Sequence, residues 1–126
     1  MSKKYAMYIG RWQNWHKGHQ WLIDQQLNKG KNVWVAIRDV EVDENNPKTA
    51  KQVFDELKVA LSDLLQTGRV FISVIPDIES VNYGRGVGYD VIYHEPPEDV
   101  AAISGTAIRT GHMTPDGKIT YDKTKE

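Results

Sequence analysis

The sequence has no cysteine among its 126 residues. Neither a disulfide nor a thiolate metal site can therefore form, and only a site built from histidines and carboxylates stays open as a metal centre. An excess of charge of one sign is also lacking, because 16 basic and 17 acidic side chains leave a formal net charge of −1. Bulk binding of nucleic acid needs a basic surface, so we expect no nucleic-acid partner.

Long apolar runs are missing as well. No apolar stretch approaches the roughly 20 residues of a membrane-spanning helix, and residues 1–4 lead into a strand-like segment, unlike a signal peptide. We therefore expect a cytoplasmic protein with no membrane partner. The length is that of one domain over residues 1–126, in which the polar residues from about 113–126 form a C-terminal tail.

The most informative stretch is residues 10–19, which read GRWQNWHKGH. The apolar run before it predicts a strand over residues 5–10, and the run after it predicts a helix over about 16–28, with Asn14 as a candidate N-cap. A loop between the carboxyl end of a strand and a helix start is where open α/β sheets bind ligands. The N–H groups of such a helix start favour phosphate.

Two histidines, His16 and His19, are three positions apart in this stretch. If the helix begins near His16, both imidazoles lie on one side of its first turn, and Gly18 between them lets phosphates approach the backbone. Together with Arg11 and free N–H groups, these side chains suit a polyphosphate. Two alternatives stay open, namely a pair of surface histidines and a zinc site.

The clearest single element is a helix predicted over residues 50–66, with Asn46 or Thr49 as its cap. Its apolar side chains recur at helical spacing and form one stripe that we expect to pack on a sheet. The stripe consists of Val53, Phe54, Leu57, Ala60, Leu61, Leu64 and Leu65.

Strands and helices alternate along most of the chain. We predict further strands over residues 33–38 and 70–75. Between residues 77 and 95 we predict a short fourth strand, a turn and a fifth strand. The fold class that follows is α/β, with a five-stranded parallel sheet, right-handed crossovers and helices on both faces.

Two motifs in the chain resemble those of one family. Residues 10–19 resemble the G-R-F-Q-P-x-H-x-G-H signature of the nucleotidylyltransferase superfamily, and residues 103–109, which read ISGTAIR, resemble its second motif, I-S-S/G-T-x-I-R. The motifs occur in the order of that superfamily, and the resemblance spans roughly residues 5–111. It implies a single nucleotidylyltransferase domain with a Rossmann-like three-layer sandwich.

The resemblance also implies a reaction and roles for residues. A nucleoside monophosphate passes from a nucleoside triphosphate to a small phosphate-bearing acceptor, pyrophosphate leaves, and Mg²⁺ accompanies the triphosphate, with no metal ligand assigned to the protein. The implied catalytic residues are His19 at the α-phosphate, His16 on the triphosphate, and Arg109 on the β- and γ-phosphates. The other residues implied to bind nucleotide or phosphate are Gly10, Arg11, Trp12, Gln13, Gly18, Ser104, Gly105 and Thr106.

A second group of residues is expected at the pocket for the base or the acceptor. Arg38 and Asp39 end the second strand, and Tyr83, Gly84 and Arg85 lie in the fourth-strand region, which borders the base pocket in the superfamily. Two alternatives stay open: a solvated acidic loop after the second strand, and a tight connection between the later strands.

The first motif also bears on the substrates. Arg11 and Gln13 follow the form typical of nicotinamide-mononucleotide adenylyltransferases, whereas cytidylyltransferases more often read G-T-F-D. We therefore expect adenylyl transfer from ATP to nicotinamide mononucleotide or a similar phosphate. The alternatives are CTP-dependent transfer to glycerol 3-phosphate or a related alcohol or sugar phosphate, and a nucleotide-binding module without turnover. A homo-oligomer, dimeric or larger, is implied as well.

The chain departs from the superfamily pattern at several places, among them Trp12 in place of phenylalanine and a shortened segment after the third strand. Asn14 stands where the first motif has proline, which loosens the preset geometry of the loop. Residues 51–53 read KQV after Thr49-Ala50, where G-E-R usually follows T-A, and this removes an arginine expected to bind ligand.

Overall fold

The computed structural model describes residues 3–84, 86 and 88–97, and the statements below concern these residues. The elements follow in the order β1 (Tyr5–Gly10), α1 (Lys17–Leu27), β2 (Asn32–Asp39), α2 (Ala50–Ala60), α3 (Ser62–Gln66) and β3 (Val70–Pro76). The strands form one parallel sheet in the order β1-β2-β3, in which Tyr8 aligns with Val35 and Val35 with Ile72. An α/β fold with a parallel sheet is thereby confirmed.

The core lies on one face of this sheet. Its buried side chains are Tyr8, Val33, Val35, Ile37, Val70 and Ile72 from the strands and Ile23, Leu27, Val53 and Leu57 from the helices. Both connections advance in the same direction along the sheet, so right-handed crossovers place α1 and α2 on the same side. On the other face, Tyr5, Met7 and Phe71 are 39%, 43% and 47% exposed. Helices were predicted on both faces of the sheet, but α1 and α2 cover only one of them.

The predicted fourth and fifth strands do not appear in the described residues between 77 and 97, so the prediction of five strands was wrong for this part of the chain. The prediction rested on side chains with a preference for strands, such as Val91 and Tyr93. These two side chains are 71% and 79% exposed. A preference for strands acts mainly through packing on a half-buried surface, and neither side chain has such packing. Gly86 and Gly88 further interrupt the segment with φ values of 66° and 84°.

The helix ends differ from the predictions in two places. α1 begins and ends within one residue of the predicted bounds, but its N-cap is His16 and not Asn14. Thr49 caps α2 as predicted. The single helix predicted over residues 50–66 is interrupted at Leu61, whose φ of −113° and ψ of 21° separate α2 from α3. None of the described helices is long and apolar enough to cross a membrane.

Candidate functional site

The loop between β1 and α1 contains two residues with left-handed backbone, Trp12 with φ 52° and Asn14 with φ 58°. Asparagine tolerates this region, whereas proline is fixed near −65° and cannot adopt it. The substitution of the motif proline by Asn14 therefore fits the conformation of this loop. A bulky residue such as Trp12 is rare there, and such strain persists only where surrounding contacts fix it.

Those contacts surround the Trp12 indole. Its Nε1–H donates to the carbonyl of Ala36 at 3.0 Å, and the side chain is only 6% exposed. The ring also lies over Gly10, where a Cβ atom would come within 3.0 Å of Trp12 Cε2. Glycine at position 10 therefore leaves room for the close approach of the indole, and a larger residue there would crowd the ring.

The start of α1 is held by its two histidines. The N–H of Gly18 donates to His16 Nδ1 at 3.0 Å, and the N–H of His16 donates to His19 Nδ1 at 3.3 Å. This is a reciprocal capping box, a motif that usually combines a hydroxyl with a carboxylate or amide. The two rings also stack, with centroids 3.8 Å apart and planes inclined by 21°. Both imidazoles therefore lie on one side of the first turn, as the spacing predicts.

The hydrogen bonds of this histidine pair fix the position of the proton on each ring. A backbone N–H can only donate, so Nδ1 of His16 and of His19 must accept, and each neutral ring carries its proton on Nε2. Burial lowers the pKa of His16. Burial, and secondarily the neighbouring His16, lowers the pKa of His19 to about 3. At neutral pH the pair therefore offers two uncharged Nε2–H donors.

Two tryptophan rings lie close to the ring of His19. Its ring centroid lies 5.1 Å from that of Trp12, in an edge-on arrangement, and 5.2 Å from that of Trp15. The two indoles lie 5.6 Å from each other. Sequence reasoning did not assign Trp15 to the site. Helical spacing could not have indicated this, because Trp12 and Trp15 precede the first residue of α1, Lys17.

Gln13 connects this loop to the loop between β2 and α2. Its side-chain amide donates to the carbonyl of Lys48 and accepts from the N–H of Lys48, both at 3.0 Å, and the residue is only 6% exposed. In the same second loop, the carboxylate of Asp43 accepts the N–H groups of Asn46 and Asn45 at 2.7 and 2.8 Å. These bonds, and more weakly the charge of Arg11, hold the pKa of Asp43 below its usual range.

The predicted pocket residues occupy different surroundings. Arg38 forms an ion pair with Asp77 at 2.7 Å and so holds the segment after β3 against the end of β2. Asp39 lines an open depression at the start of α2. Tyr83 is 62% exposed, Gly84 is exposed next to it, and no described hydrogen bond or ring contact joins either to the histidine pair. Outside the described residues lie Arg85, Ser104, Gly105, Thr106 and Arg109.

A zinc site at His16 and His19 would need a third ligand, and the described part of the chain supplies none. Over residues 3–84, 86 and 88–97, no three histidine, aspartate or glutamate side chains come together as a metal site. The ring of His94, another histidine in the described residues, stacks on Tyr8, with centroids 6.0 Å apart. The two histidines present two N–H donors at the N-terminus of α1, which is the positive end of the helix dipole. This arrangement is suited to an anion.

No protein-family model matches the chain, and no curated protein is significantly similar to it. A functional assignment therefore depends on the geometry of the β1–α1 loop and on the two motifs. Fold class alone would not supply one, because the same α/β architecture carries many functions.

Proposed function

We propose that the chain is a nucleotidylyltransferase, which transfers a nucleoside monophosphate from a nucleoside triphosphate to a small phosphorylated acceptor and releases pyrophosphate. The observation that carries the proposal is the stacked pair His16 and His19 at the N-terminus of α1. Each ring has its Nδ1 occupied by the backbone and its Nε2–H left as a donor. The order of the two sequence motifs supports the same reaction.

The proposed reaction requires little proton transfer to or from the protein. A phosphate monoester is largely a dianion near neutral pH, because its second pKa is about 6, and its oxygen can attack the α-phosphorus without a general base. The new P–O bond forms as the bond from the α-phosphorus to the bridging oxygen breaks, and pyrophosphate departs with its electron pair. Catalysis then depends on in-line positioning and on donors that stabilise the charge of the transition state.

The histidine pair fits this requirement as a set of fixed donors. His19 is assigned to the α-phosphate and His16 to the rest of the triphosphate, with the N-terminus of α1 beside them. Arg11 is exposed at the same loop and is assigned to a phosphate of the acceptor or the nucleotide. The proposal includes Thr106 and Arg109 of the second motif as ligands of the β- and γ-phosphates.

Magnesium belongs to the proposal as a companion of the triphosphate. Mg²⁺ keeps several waters and takes much of its coordination from substrate phosphates. On that ground, the proposal assigns the metal no ligand from the protein.

The substrates proposed first are ATP and nicotinamide mononucleotide, with CTP and glycerol 3-phosphate or a related phosphate as the alternative. The form of the first motif supports the first pair. The proposed fold is Rossmann-like, with a layer on each face of the sheet, and the protein is proposed to form a homo-oligomer. The exposed Tyr5, Met7 and Phe71 support a cover on the second face, since parallel sheets are generally buried on both sides.

The test is pyrophosphate release in the presence of Mg²⁺, with ATP and CTP each combined with several acceptors. The acceptors are nicotinamide mononucleotide, glycerol 3-phosphate, phosphocholine and a set of sugar phosphates. We expect release with one pair. His19→Asn should slow that release by about 10²- to 10³-fold, the usual effect of losing a transition-state donor, while Lys17→Ala on the same turn should not.

Two results would count against the proposal. A His19→Asn variant with the wild-type rate would remove His19 from the mechanism. Nucleotide binding without release for any acceptor would favour the nucleotide-binding module instead. Arg109→Ala has a separate expected effect, a higher KM for the nucleotide, because its assigned role is to bind the β- and γ-phosphates.

A further inference from the structure

The ring of His19 contacts three other aromatic rings at the start of α1. It stacks on His16, with centroids 3.8 Å apart and planes inclined by 21°. Trp12 approaches it edge-on, at 5.1 Å and 82°, and Trp15 lies tilted beside it, at 5.2 Å and 42°. Both tryptophan distances fall within the roughly 4.5–7 Å of favourable aromatic pairs. The orientation of the imidazole therefore depends on its aromatic neighbours as well as on its hydrogen bond.

The hydrogen bond that orients this ring is long. The N–H of His16 donates to His19 Nδ1 at 3.3 Å, whereas the N–H of Gly18 donates to His16 Nδ1 at 3.0 Å. The longer bond restrains its ring less. Rotation of a histidine ring about χ2 is broad and roughly two-fold, so a half-turn would replace Nδ1 by a carbon atom and move the Nε2–H donor. The aromatic contacts of His19 supply the remaining restraint against this rotation.

The first of the two tryptophans is fixed by the fold itself. The indole N–H of Trp12 donates to the carbonyl of Ala36 in β2 at 3.0 Å. The side chain is only 6% exposed and belongs to the buried core. A substitution of Trp12 would therefore damage the core together with the site.

The second tryptophan, Trp15, has a different position. It is half-buried, lies before the first residue of α1, and packs against the core from outside. Its ring contacts the fixed ring of Trp12, with centroids 5.6 Å apart, as well as the ring of His19. Trp15 therefore connects a fixed indole to the imidazole, and it can be replaced with less damage to the core.

We infer that Trp15 is a positioning residue for His19, which keeps the imidazole in the orientation where Nδ1 caps the helix and Nε2–H is the donor. The inference rests on the proposed function and adds to it a residue that sets the turnover rate. Trp15 is assigned no contact with the nucleotide or the acceptor and acts through His19. Without its ring, a smaller share of the molecules presents the Nε2–H donor to the transition state.

The test compares leucine substitutions at two tryptophans. Trp15→Leu keeps an apolar side chain against the core but removes the flat ring beside His19. Trp21→Leu is the matched control, because Trp21 is also half-buried but lies within α1, and the ring contacts of His19 in the described residues do not include it. Trp15→Phe restores an aromatic ring and should recover most of the wild-type behaviour.

Nitrogen-15 NMR of the imidazoles at neutral pH gives a readout that does not need turnover. In the wild type and in Trp21→Leu, His19 should show a bare Nδ1 and a protonated Nε2. In Trp15→Leu, the two signals should move toward each other, because a rotated ring no longer accepts the His16 N–H at Nδ1 and both tautomers become populated. A wild-type spectrum in Trp15→Leu, or the same change in Trp21→Leu, would overturn the inference.

Steady-state kinetics connects this orientation to the reaction. In Trp15→Leu, kcat for pyrophosphate release should fall about tenfold, the upper range for the loss of one aromatic contact. The dissociation constant of ATP with Mg²⁺, measured by calorimetry, should stay near the wild-type value. An unchanged kcat, or an equal loss of nucleotide affinity, would overturn the positioning role. A wild type that shows the expected NMR pattern but no turnover with any acceptor would overturn the proposed function alone.

Discussion

The imidazole rings of His16 and His19 stack with centroids 3.8 Å apart, while each Nδ1 caps the first turn of α1. A proton on either Nδ1 would break a capping bond, and protons on both rings would place two positive charges in contact. The capping hydrogen bonds at the start of α1 therefore require the neutral form of both histidines. This relationship makes both stability and ligand binding depend on protonation.

The first prediction concerns stability against pH. The pKa of His19 is about 3 in the folded chain and about 6.5 in an unfolded one. Its contribution is fully present above pH 6.5 and is lost as the pH falls toward 3, because only the unfolded chain takes up the proton in that window. The free energy of unfolding should fall there by at most about 1.4 kcal/mol per pH unit.

Urea unfolding at pH 7 and pH 5 measures this effect. The control is His19→Asn, whose amide oxygen can accept the N–H of His16 but does not titrate. The loss of stability between the two pH values should be smaller in the variant than in the wild type. An equal loss in both proteins would assign the pH dependence to other groups.

The second prediction concerns the response of the histidine pair to a triphosphate. Negative charge near an imidazole favours its protonated form, so ATP with Mg²⁺ should raise the pKa of His16, of His19 or of both. Nitrogen-15 NMR of the rings should show Nε2 protonated and Nδ1 bare before ATP is added. Adenosine, which lacks the phosphates, is the control and should leave the titration unchanged. A proton on Nδ1 in the free protein would contradict the capping geometry.

The third prediction concerns Asn14. Restoring the motif proline, Asn14→Pro, should destabilise the protein by more than about 1 kcal/mol, because the ring cannot reach the φ of 58° seen at this position. Asn14→Gly, which adopts that φ freely, should stay close to the wild type in urea unfolding. If the proline variant is as stable as the wild type, the loop does not have the left-handed conformation described.

The fourth prediction concerns Gly10. Gly10→Ala places a methyl group 3.0 Å from the Trp12 ring and should cost about 1–3 kcal/mol of stability, as overpacking does. Because that ring contacts His19, ATP binding should weaken as well. Gly84→Ala is the matched control for stability, since a Cβ there meets no atom within 4 Å. Equal thermal unfolding of the two variants would show that the indole moves aside without cost.

Much of the fold could be predicted because its signals are local. The apolar runs of β1, β2 and β3 and the stripe of α2 are contiguous patterns, and Thr49 is a common cap residue. The break at Leu61 was missed because the apolar stripe continues across it. The N-cap of α1 was missed because histidine is not among the preferred cap residues, so Asn14 was the better candidate on residue type alone.

The site could be predicted only in part, because sequence patterns reveal contacts between residues close in sequence but not contacts between distant loops. The spacing of His16 and His19 was sufficient to place both rings on one side of a helix turn. The bonds between Gln13 and Lys48 depend on the sheet bringing two distant loops together, and nothing near either residue indicates them. The prediction for residues 77–95 was wrong because strand-forming side chains were counted without the burial that a strand needs.

The two indoles beside His19 give the site an optical reporter of its own. Of the four tryptophans in the chain, Trp12 and Trp15 have ring centroids 5.1 and 5.2 Å from that of His19. An imidazolium quenches indole fluorescence by accepting an electron, whereas a neutral imidazole quenches it weakly. The fluorescence emission of the unlabelled protein should therefore fall when His19 takes up a proton, so protonation at the first turn of α1 can be followed without a label.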